Sequence, residues 1–136
     1  MTRLPTARIL VIDDDPDVVD ILLTSLRAEG YHVLGALTAD EGLRLFILSR
    51  PDLVLLDILL PSEMSGIAVL KRIHTINPAA KVVMITGNTD PVLAREALEL
   101  GVVAYVDKPF DLGYLKRVVA VALQNMEPPV ERASGA

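Results

Sequence analysis

The chain has no cysteine, which removes disulfides, thiol nucleophiles and thiolate metal sites from consideration. A chain without disulfides is compatible with a reducing cytosol. The first eight residues, Met1 to Arg8, lack an apolar signal region, and no run approaches the roughly 18–20 apolar residues of a membrane span. Positive charge is also in deficit. A net charge of −5 argues against nonspecific contact with nucleic acid. What remains is 136 residues, enough for one domain. Half of them are apolar, so packing alone can supply stability. The expectation is a cytoplasmic single domain that touches neither membrane nor nucleic acid directly.

Five short apolar runs rich in β-branched residues recur at Ile9–Ile12, Tyr31–Leu34, Leu53–Leu56, Val82–Ile85 and Val102–Val106. All but the second are nearly continuous, as strands are when helices cover both faces of a parallel sheet. Helix punctuation lies between them. Asp15 and Pro16 suit an N-cap and first helical position, Val18, Leu22 and Leu26 point inward, and Gly30 stops the helix. Thr38 to Glu41 has capping-box spacing for a second helix that ends before Pro51. A third runs from Gly66 to Ile76, stopped by Asn77 and Pro78. The fourth takes Asp90 or Thr89 as cap and ends before Gly101. The fifth follows Asp111 and reaches Met126. Residues 127–136 show no periodicity and read as a linker or frayed end.

Five strands alternating with five helices predict an α/β doubly wound fold. Right-handed crossovers leave few topologies, among them the flavodoxin-like (βα)5 sandwich with parallel strand order 2-1-3-4-5. In that order the switch point falls between strands 1 and 3, and chemistry gathers beyond the carboxyl ends of the strands. Strand 1 ends in Asp13, Asp14 and Asp15, and strand 3 in Asp57. Strand 4 ends in Thr86 and Gly87, and strand 5 in Asp107, Lys108, Pro109 and Phe110. Two carboxylates ~4 Å apart repel by roughly 4 kcal/mol at an effective dielectric near 20, so such a cluster calls for a cation. Oxygen ligands without His or Cys select a hard ion, Mg2+ or alternatively Mn2+. Such an ion keeps open positions for water and phosphate oxygens. Lys108 and Thr86 at the rim would supply a charge and a hydrogen bond to a phosphoryl group, and Gly87 has no side chain to block it.

Over about residues 7–126 the chain resembles the receiver domain of two-component response regulators. Five motifs carry the resemblance: Ile-Leu-Val-Ile-Asp13-Asp14, Leu-Leu-Asp57, Pro61 with Met64-Ser65-Gly66, Ile85-Thr86-Gly87, and Tyr105-Val-Asp-Lys108-Pro109-Phe110. It implies a phosphoacceptor, Asp57, charged by a sensor histidine kinase or phosphotransfer protein. It implies metal ligation by Asp57, by Asp14 directly, by Asp13 chiefly through water, and by the backbone carbonyl of Leu59. Lys108 is the lysine that pairs with the phosphoryl group, and Lys108-Pro109 is expected to be cis. Thr86 is the hydroxyl drawn to the phosphate, and Tyr105 the aromatic that follows it. Catalysis is then limited to the domain's own phosphorylation and dephosphorylation. The chain departs from the family pattern in a Pro61–Gly66 loop one residue longer than usual, in Leu60 where Met is common, and in Leu59 where some relatives are polar.

Other readings fit less well. A phosphatase of the haloacid dehalogenase type needs a second acid two residues after its nucleophile, where this chain has Leu59. A flavodoxin-like FMN protein needs a phosphate loop of Ser, Thr and Gly where this chain has aspartates. A pseudo-receiver that binds protein without phosphorylation is the main alternative, and five chemically competent positions argue against it. Asp15 reads as a helix cap, and His32 and His74 have no partner at ligand spacing. On the fifth helix, Leu112, Leu115, Val119, Ala122, Leu123 and Met126 form one stripe, and Tyr114, Val118 and Val121 form a second. Three apolar residues at this spacing make a patch. The patch predicts an apolar occupant on the face of the fourth helix, fifth strand and fifth helix: a second copy, making a homodimer, or an adjoining output segment, the alternative being that the fourth helix or the C-terminal tail of the chain already covers it.

Overall fold

The computed structural model describes residues 6–60, 64–87 and 90–124. The elements alternate strictly: β1 (Arg8–Ile12), α1 (Pro16–Ala28), β2 (His32–Ala36), α2 (Ala39–Ser49), β3 (Leu53–Asp57), α3 (Gly66–Ile76), β4 (Val82–Thr86), α4 (Pro91–Glu99), β5 (Ala104–Asp107) and α5 (Leu112–Gln124). The five strands are parallel, in the order β2-β1-β3-β4-β5, which is the flavodoxin-like topology read from the sequence.

Alternating side chains of the central strands feed two cores, one on each face. Leu10, Ile12, Val54, Leu56 and Met84 meet α2 and α3 through Phe46, Leu70 and Ile73. Ile9, Val11, Leu55, Val83 and Ile85 meet α1 and α5 through Leu22, Leu26, Leu115 and Val119. β3 and β4 are buried along their whole length, whereas edge strand β2 alternates. That difference accounts for the continuous runs of the central strands and the broken run of the second; β5, the other edge strand, is only partly buried although its run is continuous.

The helix signals fall where the capping chemistry requires. The Asp15 carboxylate accepts from Asp17 N at 2.9 Å, the Thr38 hydroxyl from Glu41 N at 3.1 Å and the Ser65 hydroxyl from Ala68 N at 3.2 Å. Asp90 accepts from Val92 N at 2.9 Å, so it is the α4 cap; Thr89 lies outside the described residues, as do residues 61–63 of the Pro61–Gly66 loop, Met126 and the 127–136 segment. Gly30 and Gly101 terminate α1 and α4 at φ +98° and +92°, in the left-handed region that side chains disfavour.

Two strands begin later than expected. Tyr31 N donates to Leu26 O, closing the end of α1, so β2 starts at His32 and runs on to Ala36. Val102 N likewise donates to Ala97 O in closing α4, and β5 occupies Ala104–Asp107 rather than 102–106. In both cases the first apolar residues of the run serve the preceding helix. On α1 Leu22 and Leu26 are buried as expected and Val19 is buried with them, whereas Val18 is only half-buried beside the core.

Candidate functional site

Each central strand delivers its last residues to the same end of the sheet. β1 leads into Asp13, which is 2% exposed; β3 ends in Asp57, 5% exposed; β4 ends in Thr86, fully buried. Lys108 follows β5, and its N–H donates to Thr86 O at 2.8 Å, which joins the two strand ends. The Lys108–Pro109 peptide is cis, as expected.

The Lys108 ammonium bridges two carboxylates, standing 2.6 Å from Asp13 Oδ2 and 3.0 Å from Asp57 Oδ2. The remaining oxygen of each carboxylate is also held. Asp15 N donates to Asp13 Oδ1 and Leu59 N to Asp57 Oδ1, each at 2.9 Å. Burial pushes the Asp13 carboxyl above the ordinary carboxylate range, against the opposing hydrogen bonds from Lys108 and Asp15. Burial also pulls the Lys108 ammonium down, but hydrogen bonds and attraction to Asp13 and Asp57 outweigh it and the net direction is up. Lys108 is therefore a cation at neutral pH.

Asp14 is exposed, yet it offers an oxygen to the same cluster. One ligand atom from each of Asp13, Asp14 and Asp57 lies within 4.8 Å of the others. Three carboxylates against one ammonium leave a formal deficit of two charges, which a divalent cation would fill. The donor set is oxygen only and half-open to solvent, which fits Mg2+ or Mn2+ rather than a softer metal.

Gly66 sets the shape of this corner. A Cβ on it would collide with the backbone of Asp57 and Ile58, and its N–H donates to Ile58 O at 3.1 Å. The start of α3 thus lies directly against the turn that carries Asp57 and Leu59. The sequence motif contained this glycine, but only the close approach explains why a side chain is excluded. The double engagement of Lys108 was likewise not legible, since it depends on how far Asp13 and Asp57 stand apart.

The other expected site residues lie farther out. Tyr105 is half-buried in β5, packed at the margin of the core that includes α3 and α4. On α5, Tyr114 and Val121 are 47% and 56% exposed, Val118 is half-buried, and all three line a groove with Val103 and Ala104. The stripe read from the sequence is open among the described residues. An apolar patch not singled out from the sequence lies beside Lys108, where Val18, Ile21, Phe110 and Leu112 surround a second depression. Its residues come from two helices and a loop, so no periodicity marks it. His74 Nε2 lies 3.0 Å from Ala80 O, a packing role.

This arrangement defines a class, a sheet-end acid cluster with a tethered lysine. The sequence model of the response regulator receiver domain matches residues 9–120, and the chain belongs to that family. It is 42% identical over 134 residues to the DNA-binding response regulator MtrA of Mycolicibacterium smegmatis, covering 93% of this chain and 55% of that one. It is 33% identical over 112 residues to sporulation initiation phosphotransferase F of Bacillus subtilis, covering 82% and 90%. A crystal structure of a CheY-like response regulator receiver domain protein from Methanospirillum hungatei JF-1 superposes with a TM-score of 0.81 at 33% identity, over 88% of this chain and 96% of that chain. The chain spans about half the length of MtrA, and 25% and 28% of two other curated regulators.

Proposed function

We propose that Asp57 accepts a phosphoryl group from a phosphohistidine, on a sensor kinase or a phosphotransfer protein, and that the charged state alters the face made by α4, β5 and α5. The observation that carries this reading is the Asp57 carboxylate, fixed on one side by Leu59 N–H and on the other by Lys108 at 3.0 Å. Its plane is set before any donor arrives. The oxygen facing Lys108 attacks phosphorus, the P–N bond breaks, and its electron pair goes to the imidazole nitrogen of the donor. Lys108 then follows the charge onto a phosphoryl oxygen. Asp13, Asp14, Asp57 and the backbone carbonyl of Leu59 are the groups that would hold Mg2+, or Mn2+ in its place. That ion, when bound, neutralises charge on the phosphoryl oxygens. Water attacking phosphorus later returns the carboxylate and inorganic phosphate, so catalysis is confined to the domain's own Asp57.

Thr86 sits fully buried at the end of β4, one strand over from Asp57. A phosphoryl group draws its hydroxyl inward, and Tyr105 turns into the space left behind. The stripe of Tyr114 and Val121, both exposed, and half-buried Val118 belongs to the same face. A homodimer or an output segment seated there would register the change. No described helix is long and apolar enough to cross a membrane, and cytoplasmic kinases are the donors proposed.

Intact-mass analysis with acetyl phosphate tests this reading. One phosphoryl adduct is expected with Mg2+, and none with chelator or in Asp57→Ala. An undiminished adduct in Asp57→Ala would overturn it, and no adduct in the parent would favour a phosphorylation-independent binding module.

A further inference from the structure

β2 is an edge strand, paired on one side only. His32 N donates to Ala7 O and Ala36 O accepts from Asp13 N, so His32, Leu34 and Ala36 turn their backbone groups toward β1. Val33 and Gly35 turn theirs outward. Among the described residues only Arg27 meets them, its guanidinium donating to Val33 O at 2.9 Å. The open stretch is short, because Tyr31 N already donates to Leu26 O and Leu37 N to the Glu41 carboxylate. Apolar side chains stand beside it. Leu34 and Leu48 line a groove of about 870 Å3 and are 41% and 71% exposed.

Charge along this edge is split by sign. Asp20, Thr24 and Arg27 are exposed on α1 at i, i+4 and i+7, one stripe spanning about 10 Å. Arg27 reaches Val33, and a side chain on Gly35 would strike Val19 and Leu23, so the middle of the stripe is level with Leu34. Neither Asp20 nor Arg27 has an ion-pair partner among the described residues. A stripe with an acid at one end and a base at the other matches its own reverse, which selects a second copy as the occupant. The same reversal sets Arg8 and His32, at the start of β2, against Asp40 and Glu41 in the acidic first turn of α2.

We propose that two copies of this chain pair through β2, antiparallel about a two-fold axis at Leu34. Val33 of each copy exchanges both backbone hydrogen bonds with Gly35 of the other. Leu34 packs on Leu34, and Arg27 leaves Val33 O for the Asp20 carboxylate of the second copy. β2 lies at the opposite edge of the sheet from β5, so the face made by α4, β5 and α5 stays open. The pairing does not depend on Asp57 taking a phosphoryl group, and either conclusion stands or falls alone.

Sedimentation of the full chain should show dimers forming as concentration rises. Arg27→Asp sets like charges together and should weaken the dimer about tenfold. Asp20→Arg/Arg27→Asp reverses the stripe and should restore it, although the bond to Val33 O stays lost. The chain has no cysteine, so Leu34→Cys introduces a single thiol. At the two-fold axis two such residues would stand about 4.5 Å apart between Cα atoms, within disulfide reach. Mild oxidation should link this variant into dimers and leave Ile76→Cys, exposed on α3, monomeric. Amide spectra report that each variant is folded. A parent that stays monomeric at every concentration would overturn the proposal. So would a dimer that Arg27→Asp leaves intact, a double reversal that restores nothing, or a Leu34→Cys chain that links no faster than Ile76→Cys.

Discussion

Lys108 lies closer to Asp13 than to Asp57, at 2.6 Å against 3.0 Å. In the metal-free domain the lysine therefore holds together an acid pair that would otherwise repel. The phosphoryl-binding role proposed for Lys108 conflicts with this structural one unless another cation takes over the Asp13 carboxylate. The charge deficit of the cluster supplies the reason for one.

Lys108→Ala should destabilise the metal-free domain. Removing one partner of a buried pair costs about 3–5 kcal/mol. Here the lysine side chain is 21% exposed, and water can reach the vacated site, so about 2–3 kcal/mol is expected. Urea unfolding with and without Mg2+ measures it, and Mg2+ should recover more stability in the variant than in the parent. Equal metal-free midpoints for variant and parent would mean the bridge contributes nothing.

Asp13 and Asp14 should respond differently to the same change. Asp14 is exposed and adds repulsion, so Asp14→Asn should abolish Mg2+ binding and leave metal-free stability equal or higher. Asp13 holds both Lys108 and Asp15 N. Asp13→Asn should weaken Mg2+ binding and also lower metal-free stability, by about 1.5–3 kcal/mol, the range for hydrogen bonds to charged groups. Calorimetric Mg2+ titration beside thermal unfolding separates the two. Marked loss of metal-free stability in Asp14→Asn would show that both aspartates hold structure.

The fold was legible because its rules are local. Continuous β-branched runs marked buried strands, and Asp15, Thr38 and Asp90 marked helix starts by their own hydrogen bonds. The site was legible for a similar reason: Asp13, Asp57, Thr86 and Lys108 all sit at strand ends, and topology alone brings strand ends together. What stayed hidden depends on distance. The split of Lys108 between two carboxylates follows from how β1, β3 and β5 are spaced. The exclusion of a side chain at Gly66 follows from where α3 settles on β3. The starts of β2 and β5 were misplaced because Tyr31 and Val102 satisfy helix ends, a choice that composition does not encode.

Gly66→Ala tests how tightly α3 constrains the acceptor turn. The new methyl must displace the backbone of Asp57 and Ile58, and overpacking of this kind costs about 1–3 kcal/mol. The displacement should also carry Asp57 away from Lys108, so phosphorylation by acetyl phosphate should slow by more than the small loss in folded fraction explains. Denaturant unfolding and adduct formation are measured on the same preparation. A destabilised variant with parental phosphorylation rate would place the strain in α3 and not in the turn.

Tyr105 gives the domain an alkaline signature. Burial raises its phenol above the ordinary value of 10.0, and the negative charges of Asp107, Asp90 and Asp57 push the same way. A proton held more tightly in the folded chain than in the unfolded one stabilises fully below pH 10.0, the unfolded value, and that contribution is lost as pH rises through the higher folded value. Lys108, also shifted up, acts in the same direction, so the parent domain should lose stability across this alkaline window. Tyr105→Phe removes only the phenol's share and should make the fall shallower, by an amount the difference between the two unfolding profiles isolates. A phosphoryl analogue at Asp57 adds negative charge near the ring and should move one of the three tyrosines to a still higher midpoint in a phenolate absorbance titration. Parallel stability profiles for parent and Tyr105→Phe would show that the ring is solvated like a surface tyrosine. An unmoved absorbance midpoint would mean that the phosphoryl charge does not reach β5.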